Sequence, residues 1–444
     1  MNRDLTVGKP SKVIRQFCLP LFGSVIFQQL YNIADSLVAG KFIGEDALAA
    51  VGNSYEITLL LIAVSTGANI GCSVIVSRYF GEKAIARVHT AVSTALLTCG
   101  VICLILSGAR LVFAHSLLDA IRTPANIFDD SELYLRIYFW GFPFILFYNV
   151  ANGIFSALGD SRTPFRFLAV SSLGNIGVDV LFVKAFGMGV AGVAWATFLC
   201  QGISCALALA VLFRRLKGMV PEKRPELFSG PILKQIAGVA VPSMLQQSFV
   251  SVGNIILQGL INSFGSPVVA GYSAGIKYNN LVISSFATVG NGISNFTSQN
   301  LGAKKPHRIK EALKGEIGLM WSIAFPFTLL FFFLGAPLIS FFLEDPGAVS
   351  VATGTELLRI VAPFFFVVSV KLTTDAVMRG SGHMKEFMIG TFGDLFLRVV
   401  LAFIFAQTMG LGPTGIWLAW PVGWIISTIM SALFYRKTVW KAIE

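Results

Sequence analysis

Long apolar segments that carry few charges constrain this chain more than any other feature of its sequence. Hydrophobic residues make up 55% of the 444 residues and charged residues only 13%, with a mean hydropathy of +0.73. A typical globular protein has roughly 25% charged residues. A soluble fold made from this sequence has too few charges to cover its apolar surface. The composition therefore predicts a polytopic membrane protein.

The apolar segments are long and continuous, which favours helices over the short alternating strands of a membrane β-barrel. Charges, glycines and prolines divide the chain into twelve candidate spans, so we expect an all-α fold of twelve transmembrane helices. The spans lie near 14–38, 47–76, 88–114, 133–156, 164–184, 190–213, 234–262, 268–297, 313–342, 352–378, 386–408 and 414–435.

The basic residues are concentrated on one side of this topology. With the N-terminus inside, 25 of the 34 lysines and arginines fall in inner segments. Cationic loops are retained on the cytoplasmic side during insertion, so both termini are expected in the cytoplasm and the chain in the plasma (inner) membrane. The net charge of +11 then reflects topology and lipid contact, and no nucleic-acid partner is expected.

The two halves of the chain resemble each other. When the sequence is slid along itself by about half its length, the pairs that coincide include Pro20 and Pro242, Asn32 and Asn254, Gly71 and Gly292, Lys83 and Lys304, and Gly189 and Gly412. We therefore expect two pseudo-symmetric six-helix bundles, an N-terminal lobe 1–213 and a C-terminal lobe 233–444, joined by a cytoplasmic linker 214–232. Parallel repeats of this kind bind substrate between the halves and work by rocking.

A polar stripe lies on the first helix. Gln28, Asn32 and Asp35 are spaced i, i+4 and i+7 and so share one helix face. An ionisable side chain at bilayer depth costs roughly 2.5–3.5 kcal/mol on insertion scales, which makes Asp35 a functional candidate. The alternative is a structural acid that is hydrogen-bonded to neighbouring helices.

Further oxygen ligands occur in the fifth and sixth spans of the first half. Asn175 and Asp179 lie one turn apart, as do Thr197 and Gln201. Asn175, Asp179 and Thr197 offer, with Asp35, two carboxylates, an amide and a hydroxyl, which suit a proton or a small hard cation such as Na+.

The second half has different polar residues in its spans. Lys371 with Asp375, and Asp394 with Arg398, stand at i,i+4 spacing, which favours neutralisation within each helix. Asp375 also lies nearer an expected cavity. The residues expected to line the substrate cavity are Gln28, Asn32, Asp35, Gln201, Gln247, Asn254, Lys277 and Asp375.

Several segments resemble the multidrug and toxin extrusion (MATE) transporters, and their DinF-like branch in particular. The similarity rests on FQQLYNIAD followed by ALAAVG, and on ISNFTSQNLGAKK, ALGDSRTP and GVAGVAWAT, and it extends over nearly the whole chain. It implies export of organic, often cationic or amphipathic compounds by alternating access, coupled to inward flow of H+ or Na+.

The resemblance also assigns roles to residues. It implies an ion-coupling site, for H+ or Na+, at Asp35, Asn175, Asp179 and Thr197, and a bend of the first helix at Pro20. The other bacterial branch uses a seventh-helix Glu and a tenth-helix Asp, and here only Asp375 matches.

Two alternative functions are a lipid-linked saccharide flippase and an enzyme. A lipid-linked saccharide flippase has this bundle-pair architecture, but its pyrophosphate cargo needs several cavity-lining cations, and few are embedded here. An enzyme is not expected, because HExxH, GxSxG and nucleotide-binding loops are missing from the sequence. We expect small organic substrates, a coupling cation and the lipid bilayer as partners of a monomer that needs no cofactor.

Overall fold

The computed structural model describes residues 4–43, 45–120, 123, 125–342 and 347–440. Within these ranges, the side chains of 30–42, 45–49, 52–53, 55–56, 107–114, 120 and 342 lie outside the description.

Twelve long helical segments make up the described chain, which contains no strand in these ranges. They are α1 Pro10–Phe42, α2 Glu45–Gly81, α3 Ile85–Ala120, α4 Ala125–Ala157, α5 Arg162–Ala185, α6 Gly189–Lys217, α7 Gly230–Asn262, α8 Ser266–Gly302, α9 His307–Phe342, α10 Ala348–Ser381, α11 Met384–Thr408 and α12 Pro413–Trp440.

Most of these segments are long and apolar enough to cross a membrane. In the described residues, ten helices meet that condition by length and composition. One of the ten, His307–Phe341 of α9, has 35 residues and is about 53 Å long, well beyond the ~30 Å of hydrocarbon in a bilayer. The predicted all-α, polytopic fold class is confirmed.

Four of the described segments contain π-helical or 3₁₀ turns. A π-helical turn ends α5 at Leu181–Ala185, α11 at Ile404–Thr408 and α12 at Arg436–Trp440. α10 contains a 3₁₀ turn at Ala362–Phe364, where Pro363 cannot donate a helical hydrogen bond.

The predicted repeat is visible in the backbone. Lys83 and Lys304, which coincide when the halves are aligned, have positive φ of 57° and 56°. Gly189 and Gly412, a second matched pair, both have a φ of 58°. A non-glycine residue with positive φ is uncommon, so its recurrence at matched helix ends is strong support for the repeat.

The helices group into two compact units that divide α1 and α7. Unit 1 contains Met1–Asp4 and Gly23–Met244, and unit 2 contains Leu5–Phe22 and Leu245–Glu444. The units differ from the predicted lobes in these two helices. The divisions fall within one turn after Pro20 and Pro242, the prolines inside α1 and α7.

Glycines explain how these helix halves pack. In unit 1, a Cβ on Gly71 of α2 would lie 2.6 Å from Ala240 Cβ of α7. In unit 2, a Cβ on Gly292 of α8 would lie 2.5 Å from Cys18 Sγ of α1. Glycine at both matched positions lets two helix backbones approach closely.

Candidate functional site

The polar residues predicted in the fifth and sixth spans are buried in unit 1. Asn175 and Asp179 share one face of α5 and are 2% and 0% exposed. Thr197 lies on α6, which packs against α5, and is 8% exposed. Unit 1 therefore buries a carboxylate, an amide and a hydroxyl on two adjacent helices, and these oxygens could hold a proton or a hard cation.

The first-helix residues of the predicted site are only partly described. The side chains of Asn32 and Asp35 lie outside the described residues, although the backbone of α1 is helical at both. Gln28, one turn before Asn32, is exposed. The role of Asp35 stays a prediction.

The other residues expected to line the cavity differ in exposure. Gln201 in unit 1 is partly buried, whereas Gln247, Asn254 and Lys277 in unit 2 are exposed. Their place in a substrate cavity also stays a prediction.

Asp375 belongs to a buried network in unit 2. Its Oδ2 lies 2.7 Å from Lys371 Nζ, and its Oδ1 accepts a hydrogen bond of 2.7 Å from Ser431. The expected Lys371–Asp375 pair is confirmed. Both oxygens are occupied, which a buried carboxylate requires to remain charged at low cost.

The expected Asp394–Arg398 pair is wrong. Asp394 Oδ2 lies 3.9 Å from Lys371 Nζ on the neighbouring helix, and these two described side chains, Asp394 and Arg398, form no ion pair. The Arg398 guanidinium instead lies over the ring of Trp420, 5.1 Å from its centroid. An aromatic face can stabilise a cation without a carboxylate, which helical spacing alone does not reveal.

Arg379 and Glu316 were not among the predicted site residues. Arg379 Nη2 donates to Asn291 Oδ1 over 3.2 Å, and its guanidinium lies 5.3 Å from the centroid of Phe387. Glu316 on α9 is 0% exposed. In the sequence, no basic residue lies three or four residues from Glu316, and the same is true of Asp35. An acid without a basic residue one helical turn away is therefore the sequence signal that could have identified Glu316.

Asp160 organises the turn between α4 and α5. Its Oδ1 accepts the backbone N–H groups of Arg162 and Thr163 at 3.0 and 3.1 Å, and its Oδ2 accepts the Thr163 hydroxyl at 2.6 Å. Arg215 at the end of α6 forms an ion pair with the same carboxylate. Burial acts to raise the pKa of Asp160, but the Thr163 hydrogen bonds and the Arg215 charge outweigh it and hold the pKa below its usual value.

The comparisons with known proteins agree with this architecture. The MatE family model matches residues 20–181 and again 242–404, once in each half of the repeat. The chain is 26% identical to the probable multidrug resistance protein YpnP of Bacillus subtilis, over 99% of this chain and 98% of the relative. It is also 26% identical to the probable multidrug resistance protein NorM of Thermotoga maritima, over 97% and 93%.

A solved structure gives the same fold. The outward-facing conformation of a multidrug resistance MATE family transporter of the MOP superfamily superposes with a TM-score of 0.92 at 24% identity, covering 100% of this chain and 98% of that one.

The fold and the buried polar residues define a multi-pass membrane transporter of small compounds. Because the MatE model covers most of both halves, the chain belongs to the MatE (MATE) family of multidrug efflux transporters.

Proposed function

We propose that this protein is a cation-coupled antiporter that exports organic, often cationic or amphipathic compounds in exchange for inward H+ or Na+. The observation that carries the proposal is the burial of Asn175, Asp179 and Thr197 together in unit 1. Placement in the DinF-like branch of the family is part of the proposal.

Burial gives these groups a physical reason to bind a cation. A carboxylate removed from water is stabilised by a proton or a positive ion, and amide and hydroxyl oxygens supply further hard ligands. An acid at membrane depth is costly, so its presence is best explained by function. Asp35, by resemblance, supplies the second carboxylate.

Exchange follows from competition for the same charge. A proton or Na+ bound at Asp35 and Asp179 neutralises the site and weakens its hold on a cationic substrate. A bound cationic substrate, in turn, opposes entry of the coupling ion. The two cargoes then leave on opposite sides if the protein alternates its access, with α1 bending near Pro20.

The comparisons support the substrate class. YpnP and NorM are both named as probable multidrug resistance proteins. They do not favour the lipid-linked saccharide flippase. The buried cations of unit 2 also have partners of their own, because Lys371 contacts Asp375 and Arg379 donates to Asn291.

The proposal includes location and assembly. The protein acts as a monomer in the plasma (inner) membrane with both termini in the cytoplasm, as the distribution of basic residues indicates.

Dye efflux from proteoliposomes tests the function. A pH gradient and a Na+ gradient are imposed separately on wild type, Asp179→Asn and the control Asp129→Asn, which changes an exposed acid of unit 1. We expect one gradient to drive efflux in wild type and in the control. In Asp179→Asn the rate falls about tenfold or more, equivalent to ~1.4 kcal/mol in the barrier.

Two results contradict the proposal. One is equal gradient-driven efflux by Asp179→Asn and wild type at matched protein levels. The other is that neither gradient drives efflux of any of several cationic dyes by the wild type.

A further inference from the structure

A carboxylate that lacks a hydrogen-bond partner lies buried in unit 2. Glu316 is 0% exposed, and neither Oε1 nor Oε2 has a hydrogen-bond partner among the described residues. The ion pairs of the described part of the chain do not include it. A buried ionised carboxylate without a partner is far costlier than the neutral acid, so this packing accommodates the protonated form.

The inner half of α1 covers this part of α9. A Cβ on Gly315 would lie 2.8 Å from Ser11 Cβ, and a Cβ on Gly318 would lie 3.6 Å from Arg15 Nη2. The thiol of Cys18, also fully buried, is close enough to interact electrostatically with Glu316. These α1 residues lie within Leu5–Phe22, the part of α1 that belongs to unit 2.

In the part of the chain that the structure describes, no lysine or arginine of the surrounding helices forms an ion pair with Glu316. From α1, the titratable groups on this side are the Cys18 thiol and the exposed guanidinium of Arg15. α8 contributes apolar core residues such as Phe296. From α10, Thr373 donates to Met320 Sδ, one turn from Glu316, at 3.3 Å.

The charged residues of α10 are engaged elsewhere. Lys371 and Asp375 pair with each other, and Arg379 donates to Asn291. On α9 itself, Lys314 and Glu311 are exposed. A proton is therefore the simplest partner for the Glu316 carboxylate.

The repeat shows that packing alone does not require an acid here. The alignment that pairs Lys83 with Lys304 also pairs Glu316 with Ala95 on α3, which is buried as well. A small apolar side chain thus fills the matched site in unit 1, and the acid in unit 2 carries a desolvation cost that the fold itself does not demand.

We propose that Glu316 is a proton-binding site of unit 2 and a second proton carrier of the exchange cycle, an inference that rests on the proposed function. It holds its proton while residues 11–18 of α1 cover it. When this half of α1 moves off α9, water reaches the carboxylic acid, which ionises and passes H+ to that water. Glu316 lies in the third turn of α9, about 14 Å from its inner end, so the route to the cytoplasm is short.

Infrared spectroscopy of the purified chain in lipid tests proton binding directly. Wild type is compared at neutral pH with Glu316→Gln and with Glu311→Gln, which changes an exposed acid of the same helix. We expect a protonated-carboxyl stretching band in wild type and Glu311→Gln that Glu316→Gln lacks. Identical carboxyl spectra for wild type and Glu316→Gln overturn the proton site.

Transport assays test its part in the cycle. We expect Glu316→Gln to retain dye exchange without a gradient but to lose uphill efflux driven by pH. Uphill efflux equal to that of wild type overturns the coupling role. If wild type itself shows no pH-driven efflux, the coupling role is overturned together with proton-coupled export, whereas the infrared result still decides proton binding.

A second variant guards against misfolding. Glu316→Ala reproduces the alanine that the first half of the chain carries at the matched position, Ala95. It is expected to fold and to give the same two results as Glu316→Gln. A folded Glu316→Ala with wild-type pH-driven efflux counts against the proposal.

Discussion

Asp160 joins two parts of unit 1 through a single carboxylate. It caps the start of α5 by accepting the Arg162 and Thr163 N–H groups, and its ion pair with Arg215 attaches that turn to the end of α6. Arg215 Nη2 also donates to the Thr163 hydroxyl over 2.8 Å. Because charge-assisted hydrogen bonds are the strong ones, this turn should be sensitive to a change of one atom.

Replacing Asp160 with Asn removes the charge and keeps the shape. We expect Asp160→Asn to lower the free energy of unfolding at neutral pH by about 1–3 kcal/mol, since Arg215 then lacks a charged partner. The measurement is Tm of the purified protein, with Glu222→Gln in the exposed linker as a control that leaves Tm unchanged.

The difference in Tm between wild type and Asp160→Asn has a defined pH dependence. The pKa of Asp160 lies below its usual value, so its stabilisation is complete above the ordinary aspartate pKa of about 3.9 and is lost as pH falls through the folded value. The Tm difference between wild type and Asp160→Asn should therefore be constant above about pH 5 and shrink in acid. A difference that grows in acid would contradict this account.

At the scale of helices, close glycine contacts fix which elements pair. Gly67 and Gly71 lie one turn apart on α2, and a Cβ at either position would fall within 3 Å of α7 atoms. Gly71 would meet Ala240 Cβ at 2.6 Å and the Ile236 carbonyl oxygen at 2.7 Å. A side chain at Gly71 must therefore push the two helices apart.

We expect Gly71→Leu to destabilise the protein by about 1–3 kcal/mol, the usual cost of overpacking, and to reduce the yield of folded transporter. The matched control is Gly238→Ala on α7, where an added Cβ has no heavy atom within 4 Å. That variant should be neutral or stabilising by up to ~1 kcal/mol, because alanine favours the helix. Equal Tm values for the two variants would exclude a close α2–α7 contact.

The helices and the repeat could be predicted from the sequence because their signals are local. Apolar runs, charge positions and matched residues such as Lys83 and Lys304 can all be found by inspection. The partner of Arg398 could not be predicted in this way, because that partner, Trp420, lies on another helix. Asp35, Asn175, Asp179 and Thr197 are predicted as a site, and three of these four side chains are described and buried.

The division of α1 and α7 between the two units could not be predicted from the sequence either. Hydropathy and spacing identify a span but do not say what each end of it packs against. The contacts of Gly71 with Ala240, and of Gly292 with Cys18, depend on pairing between residues far apart in the chain. The sequence features close to these divisions are Pro20 in α1 and Pro242 in α7.

At the scale of the whole molecule, the distribution of charge predicts a single orientation. Cysteines placed at Glu222 in the linker and at Phe186 between α5 and α6, both exposed positions, should face opposite sides. In intact cells, we expect a membrane-impermeant maleimide to label Phe186→Cys and to spare Glu222→Cys. The wild type is the background control, because five of its six cysteines are buried and Cys200 is partly buried. The reverse labelling pattern would contradict cytoplasmic termini.

The first half of α1 belongs to unit 2 and the first half of α7 belongs to unit 1, and this division has a consequence for biosynthesis. Unit 1 includes residues up to Met244, so it lacks part of its core until the start of α7 has left the ribosome. Leu5–Phe22 is made first, yet its neighbours on α8 and α9 are made only after more than half of the chain has been translated. Leu5–Phe22 therefore remains partly uncovered until α8 and α9 have been synthesised. Neither unit can be completed when only one half of the chain has been translated.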